Sequence, residues 1–163
     1  AEELEQGRRF HLDITLARPD VNSIVHTHSM FATILAMGRL SIPAAHYMVG
    51  VFGGNTVRCA DYATYGTKEL SANALAALEG RAGCLLANHG MITCGPSLEK
   101  AMWLAVELET LAKMYYHAKL LGNPVILPDS EMATVRGGMK TYGLQDTRWD
   151  VPGKKVGKVK AKV

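Results

Sequence analysis

Apolar residues in this chain recur at two periods, and the switches between them mark out its elements. Over residues 2–18, Leu4, Phe10, Leu12, Ile14 and Leu16 punctuate a charged run. The pattern predicts a helix ended by Arg18-Pro19, because proline disfavours helical backbone in the residue before it. Residues 23–28 are rich in β-branched side chains and predict a strand. SMFATILAM at 29–37 predicts a short helix capped by Ser29 and stopped by Gly38. AHYMVGVF at 45–52 and NTVRCA at 55–60 predict two strands joined as a hairpin around Gly-Gly-Asn. Thr67 caps a predicted helix that runs to Leu78 and closes at Gly80. GCLLA at 83–87 and MITC at 91–94 predict two buried strands with His-Gly between them. Pro96–Lys100 opens the longest helix, with Leu98, Ala101, Met102, Ala105, Leu108, Ala112 and Tyr115 at helical spacing as far as Gly122. A last helix is predicted over 129–136 with Asp129 as its cap, and Gly137-Gly138 weakens its continuation. With no internal repeat and no linker, the economical architecture is one α/β domain over 1–145.

Composition changes this picture little. Of 163 residues, 48% are apolar and 20% charged, enough for one domain with a core. The net charge is +3, and the closing stretch GKKVGKVKAKV carries five lysines and no acid. The body is therefore nearly neutral, which gives nucleic-acid binding little support, and residues 146–163 read as a basic, disordered tail. Three cysteines without CxxC spacing speak against a disulfide framework and against a thiolate metal site, and fit a reducing cytoplasm. Cys84, in an apolar run, reads as a core residue. No stretch nears the roughly 20 apolar residues of a membrane span, and AEELEQGRRF lacks the apolar centre of a signal peptide.

The candidate chemistry lies in the histidines. In IVHTHS, His26 and His28 are two apart on a predicted strand, so both rings project from one face while Thr27 points away. That spacing suits two ligands of one metal ion, and it equally suits two half-exposed histidines at a strand end. His89 tips the choice. It follows the buried strand GCLLA, where Gly90 lets the backbone turn, and strand ends are where open α/β sheets build sites. Three imidazoles leave a fourth position for substrate, as in a catalytic rather than a closed site; Zn²⁺ suits them, as do other divalent transition metals. His11 reads as a packed helix residue and His117 as a surface one. His46, ahead of Tyr47 on a predicted strand, reads as structural or as near a site.

The order of VHTHS, IPAAHYMVGVFGGN, CADYATYGTKEL, NHGMITCG and LEKAMWLAVELETLAKMYY resembles that of the class II, zinc-dependent sugar-phosphate aldolases, over about Arg9 to Tyr142. The resemblance implies a three-layer α/β/α sandwich and a homotetramer with sites at subunit interfaces. It implies zinc on His26, His28 and His89, and cleavage of a ketose 1-phosphate of the L-fuculose 1-phosphate type to dihydroxyacetone phosphate and an aldehyde. Aldol cleavage leaves an enediolate whose oxygens a divalent cation can hold. Tyr47 corresponds to a tyrosine that reaches a neighbouring subunit's site and exchanges a proton with the aldehyde oxygen; a core tyrosine is the plain alternative. Tyr65 corresponds to an aromatic residue near the aldehyde pocket, with loop packing as its plain alternative.

Two departures qualify the match. The family carries additional strands ahead of the position of Ala1, so the resemblance implies a domain whose N-terminal part is missing. The family also has Ser-Ser-Glu before its Arg-Phe-His region, with the glutamate as general base. Here those positions hold Glu5, Gln6 and Gly7. Glycine takes no proton and binds no metal, and Glu5 substitutes only if the chain shifts locally. The alternatives are a pentulose-5-phosphate 4-epimerase, a thio-sugar-phosphate dehydratase of the same fold, and a non-catalytic interaction domain like the adducin head.

Overall fold

The computed structural model describes residues 2–139, and their side chains from Arg9 onward. In chain order the elements are α1 (Glu2–Ala17), β1 (Ser23–Thr27), α2 (Met30–Met37), β2 (Ile42–Pro43), a 3₁₀ helix (Tyr47–Phe52), β3 (Thr56–Val57), β4 (Cys59–Ala60), α3 (Lys68–Leu78), β5 (Gly83–Leu86), β6 (Gly90–Gly95), α4 (Leu98–Leu121) and α5 (Asp129–Met139). The main sheet runs β1-β6-β5-β4. β6 is antiparallel to both β1 and β5, and β4 is parallel to β5. β1, β5 and β4 therefore run in the same direction, and their carboxyl ends lie along one edge of the sheet.

Alternation along the strands divides the core in two. Leu85 and Met91 face a cluster built with Leu35 of α2, Leu104, Leu108 and Leu111 of α4, and Val49 and Phe52 of the 3₁₀ helix. Cys84, Leu86, Ile92 and Cys94 face a second cluster with Phe10 and Ile14 of α1 and Leu70, Ala74 and Leu78 of α3. Helices thus cover both faces of a mixed sheet, which is why every residue of β5 and β6 is buried. Among the described side chains of α1, from Arg9 on, Phe10 and Ile14, one turn apart, are buried, and Leu12 and Leu16 face outward.

The predicted hairpin over 45–60 does not form. Val49 and Phe52, three residues apart, both enter the core, a spacing that a 3₁₀ turn satisfies and a strand does not. His46 is the cap of that turn: its Nδ1 accepts the Met48 N–H at 3.3 Å. Gly53, at φ 90°, closes it. The extended pieces pair elsewhere, β3 with β2 in a separate two-stranded sheet and β4 with β5.

Helix ends show three smaller differences. Gly38 stays right-handed, and Arg39, at φ 52°, takes the left-handed position after α2. Ser29 makes no side-chain capping bond. α5 begins at Asp129 and runs through Gly137-Gly138 to Met139, with Met132 buried. Asp129 accepts from Asn55, which accepts from Arg136, and this ties α5 to the turn after the 3₁₀ helix. Cys84 is wholly buried, as a core residue should be, and no cysteine among the described residues is in a disulfide. Among the described residues no helix is long and apolar enough to cross a membrane. The tail 146–163 and the boundary at 145 lie outside the described residues.

Candidate metal centre

Three loops leave the carboxyl edge of the sheet and meet there. His28 follows β1, residues 61–66 follow β4, and Asn88-His89 sits in the turn from β5 to β6. With His26 of β1 and Phe10 of α1, residues from these loops line a cavity of ≈ 430 Å³, a size suited to a small organic ligand.

His26, His28 and His89 stand together on its wall. One ligand nitrogen from each lies within 4.8 Å of the others. Their ring centroids are 4.8–5.0 Å apart in all three pairs. His26 Nδ1 donates to the Met91 carbonyl at 2.8 Å, which fixes the tautomer and turns the Nε2 lone pair towards the other two rings. His26 Nε2 and His28 Nε2 are 3.1 Å apart. Two nitrogens on a tetrahedral ion with bonds of 2.0–2.1 Å stand roughly 3.3–3.4 Å apart. The remaining spread is within what imidazole rotation takes up, since its sp³–sp² torsion has broad wells. Desolvation by burial lowers the His26 pKa to about 4, against a favourable bond from Met91, and burial lowers that of His89 as well. Both rings are then neutral near pH 7, the form that ligates metal. The donor set fits a divalent transition metal.

The turn that delivers His89 does not work as the sequence suggested. The left-handed residue is Asn88, at φ 54°, a type that tolerates this region. Gly90 is needed for a different reason: a Cβ there would lie 2.5 Å from the Thr27 carbonyl oxygen and 2.8 Å from His28 Cδ2. Arg39 Nε donates to Asn88 Oδ1 at 3.1 Å, and the Asn88 N–H donates to the Ala36 carbonyl at 3.0 Å. The two left-handed residues are thereby bound to each other.

Among the other sequence candidates, Tyr65 is 70% exposed and lines the cavity rather than packing its loop. Tyr62, Phe10 and Asn88 line it too and were not singled out; the only signal was the Tyr-x-x-Tyr spacing before Gly66. Tyr47 opens the 3₁₀ helix, lies tilted against His46 with ring centroids 4.8 Å apart, and is absent from this cavity's lining. His11 packs on Phe10 and His117 bonds to the Lys113 carbonyl, both as the plain readings had it. Glu5 and Gly7 lie outside the described side chains.

A mixed α/β sheet with three imidazoles converging beside an open cavity is an arrangement that could hold a divalent cation next to a small ligand. The chain belongs to the class II aldolase and adducin family: the model of the Class II Aldolase and Adducin N-terminal domain matches residues 2–116. It is 54% identical over 135 residues to 5-methylthioribulose-1-phosphate/5-deoxyribulose-1-phosphate aldolase of Rhodospirillum rubrum, covering 83% of this chain and 61% of that protein. It is 46% identical over 138 residues to L-fuculose phosphate aldolase of Escherichia coli K12, covering 84% and 64%. A solved L-fuculose 1-phosphate aldolase superposes with a TM-score of 0.79 at 45% identity, over 83% of this chain and 63% of that one. The chain thus spans under two-thirds of the length of these relatives.

Proposed function

We propose that this chain belongs to a zinc-dependent aldolase that cleaves a ketose 1-phosphate to dihydroxyacetone phosphate and an aldehyde. The observation that carries the proposal is the meeting of His26, His28 and His89 on one cavity, in a chain of this family. These three residues would hold the ion. When bound, it supplies a Lewis acid for the negative charge that carbon–carbon cleavage leaves on oxygen. His26, oriented by Met91, presents a lone pair and not a proton. Phe10, Tyr62 and Tyr65 give the cavity an aromatic wall against which the aldehyde half of the substrate would lie. The names of the similar aldolases, which act on 5-methylthioribulose 1-phosphate, 5-deoxyribulose 1-phosphate and L-fuculose phosphate, support a substrate of that kind.

Tyr47 is assigned to the site of a neighbouring copy, in a homotetramer, where its hydroxyl exchanges a proton with the aldehyde oxygen. Its 41% exposure supports that role. A second reading rests on Gly7, which stands where the family resemblance puts a carboxylate base: a non-catalytic interaction domain. Zinc content per chain, measured with cleavage of a panel of ketose 1-phosphates, decides. One zinc per chain with release of dihydroxyacetone phosphate supports the enzyme. A folded protein that takes up no zinc and cleaves none of the panel overturns the enzyme and supports the interaction domain.

A further inference from the structure

His26 is oriented by the Met91 carbonyl, but His28 has no such partner. Among the described residues its ring is hydrogen-bonded only to His26. The ring's position therefore depends on the backbone that carries it, and that backbone enters α2 two residues later. α2 has only eight residues, too few to hold its own first turn in water. Ser29, in the capping position, has a buried hydroxyl without a partner. The first turn is held from outside: Glu109 of α4 receives the Phe31 N–H on Oε1 at 2.9 Å and the Ala32 N–H on Oε2 at 2.8 Å. Both carboxylate oxygens are used, so the bond fixes direction as well as position. A negative group at this end is also favoured by the helix dipole. α4 is the longest element and packs on the sheet through Leu104 and Leu108, so it is a rigid anchor.

We infer that Glu109 is a positioning residue for the metal centre: by holding the first turn of α2 against α4, it sets where His28 meets the ion. The inference rests on the metal reading above. Nothing in the motif HTHS points to it, because Glu109 lies 78 residues from Phe31. It is an outer partner that acts through backbone instead of through the ring.

The test uses zinc alone and the whole chain. In competition with a chromophoric chelator, Glu109→Gln should bind zinc about tenfold more weakly or worse, the usual scale for outer-partner losses. Arg18→Ala serves as control. Arg18 holds the carbonyls of Leu78 and Arg81 at 2.9 and 3.1 Å, near the opposite end of β1 from His28. It should lower the melting temperature while leaving zinc affinity within about twofold. With Co²⁺ in place of zinc, the visible absorption of the Glu109 variant should shift, reporting altered ligand geometry. Should the variant not fold, the wild-type protein answers by reciprocity: zinc must slow amide exchange at Phe31 and Ala32. Wild-type affinity in Glu109→Gln, an equal loss in Arg18→Ala, or unchanged exchange at those amides overturns the inference while the metal reading stands. A wild-type chain that takes up no zinc removes the metal reading itself.

Discussion

At the residue scale, the centre depends on who orients each ring. His26 has a backbone carbonyl, His28 has the chain leading into α2, and His89 follows a left-handed asparagine locked to Arg39. Replacing His28 by alanine should abolish zinc uptake and leave far-ultraviolet circular dichroism unchanged, since the ring is exposed and supports no core contact. Gly90 gives a more specific prediction. A methyl group there must displace the Thr27 carbonyl, which is backbone, and the His28 ring. Gly90→Ala should therefore weaken zinc binding tenfold or more and cost about 1–3 kcal/mol in stability, read by chelator competition and urea denaturation. An alanine variant with native zinc affinity would show that the strands part without moving His28.

At the scale of elements, two helices that look alike in sequence are capped differently. Thr67 Oγ1 accepts the Leu70 N–H at 3.2 Å, whereas Ser29 caps nothing and Glu109 does that work from another helix. Thr67→Ala should cost about 1 kcal/mol, and Ser29→Ala should fall within about 0.5 kcal/mol of wild type. The urea midpoints of the two variants, at unchanged slope, make the comparison. The helix starts at 68 and 98 were legible because their caps are local, with Ser97 accepting from Lys100 as Thr67 does from Leu70. The segment 45–52 was not, because GVFGGN is a good hairpin signal by itself. Only the docking of Val49 and Phe52 under α4, and of Gly50 against Val135 of α5, selects the 3₁₀ turn.

For the molecule as a whole, an ion that binds the folded state and not the unfolded one stabilises it by mass action, about 2.7 kcal/mol at a hundredfold excess over Kd. Zinc added to chelator-treated protein should raise the melting temperature in a concentration-dependent way. The His28→Ala variant should show no such rise; if it does, zinc is held elsewhere. The geometry behind this is collective. β1, β5 and β4 bring their carboxyl ends to one edge only because β6 runs between β1 and β5 in the opposite direction.

The sequence by itself determined most of the regular elements and singled out the three histidines that meet. Periodicity placed α1, β1, α3, β5, β6 and α4, and the spacing of His26 and His28 put two rings on one face, all of it governed by contacts within a few residues along the chain. Tertiary structure decided the rest: the 3₁₀ turn in place of a hairpin, the aromatic wall of Phe10, Tyr62 and Tyr65, the reason for Gly90, and the role of Glu109. Each of these is fixed by a neighbour distant in sequence, such as the Thr27 carbonyl for Gly90 or α4 for the start of α2. A local pattern carries no record of such neighbours.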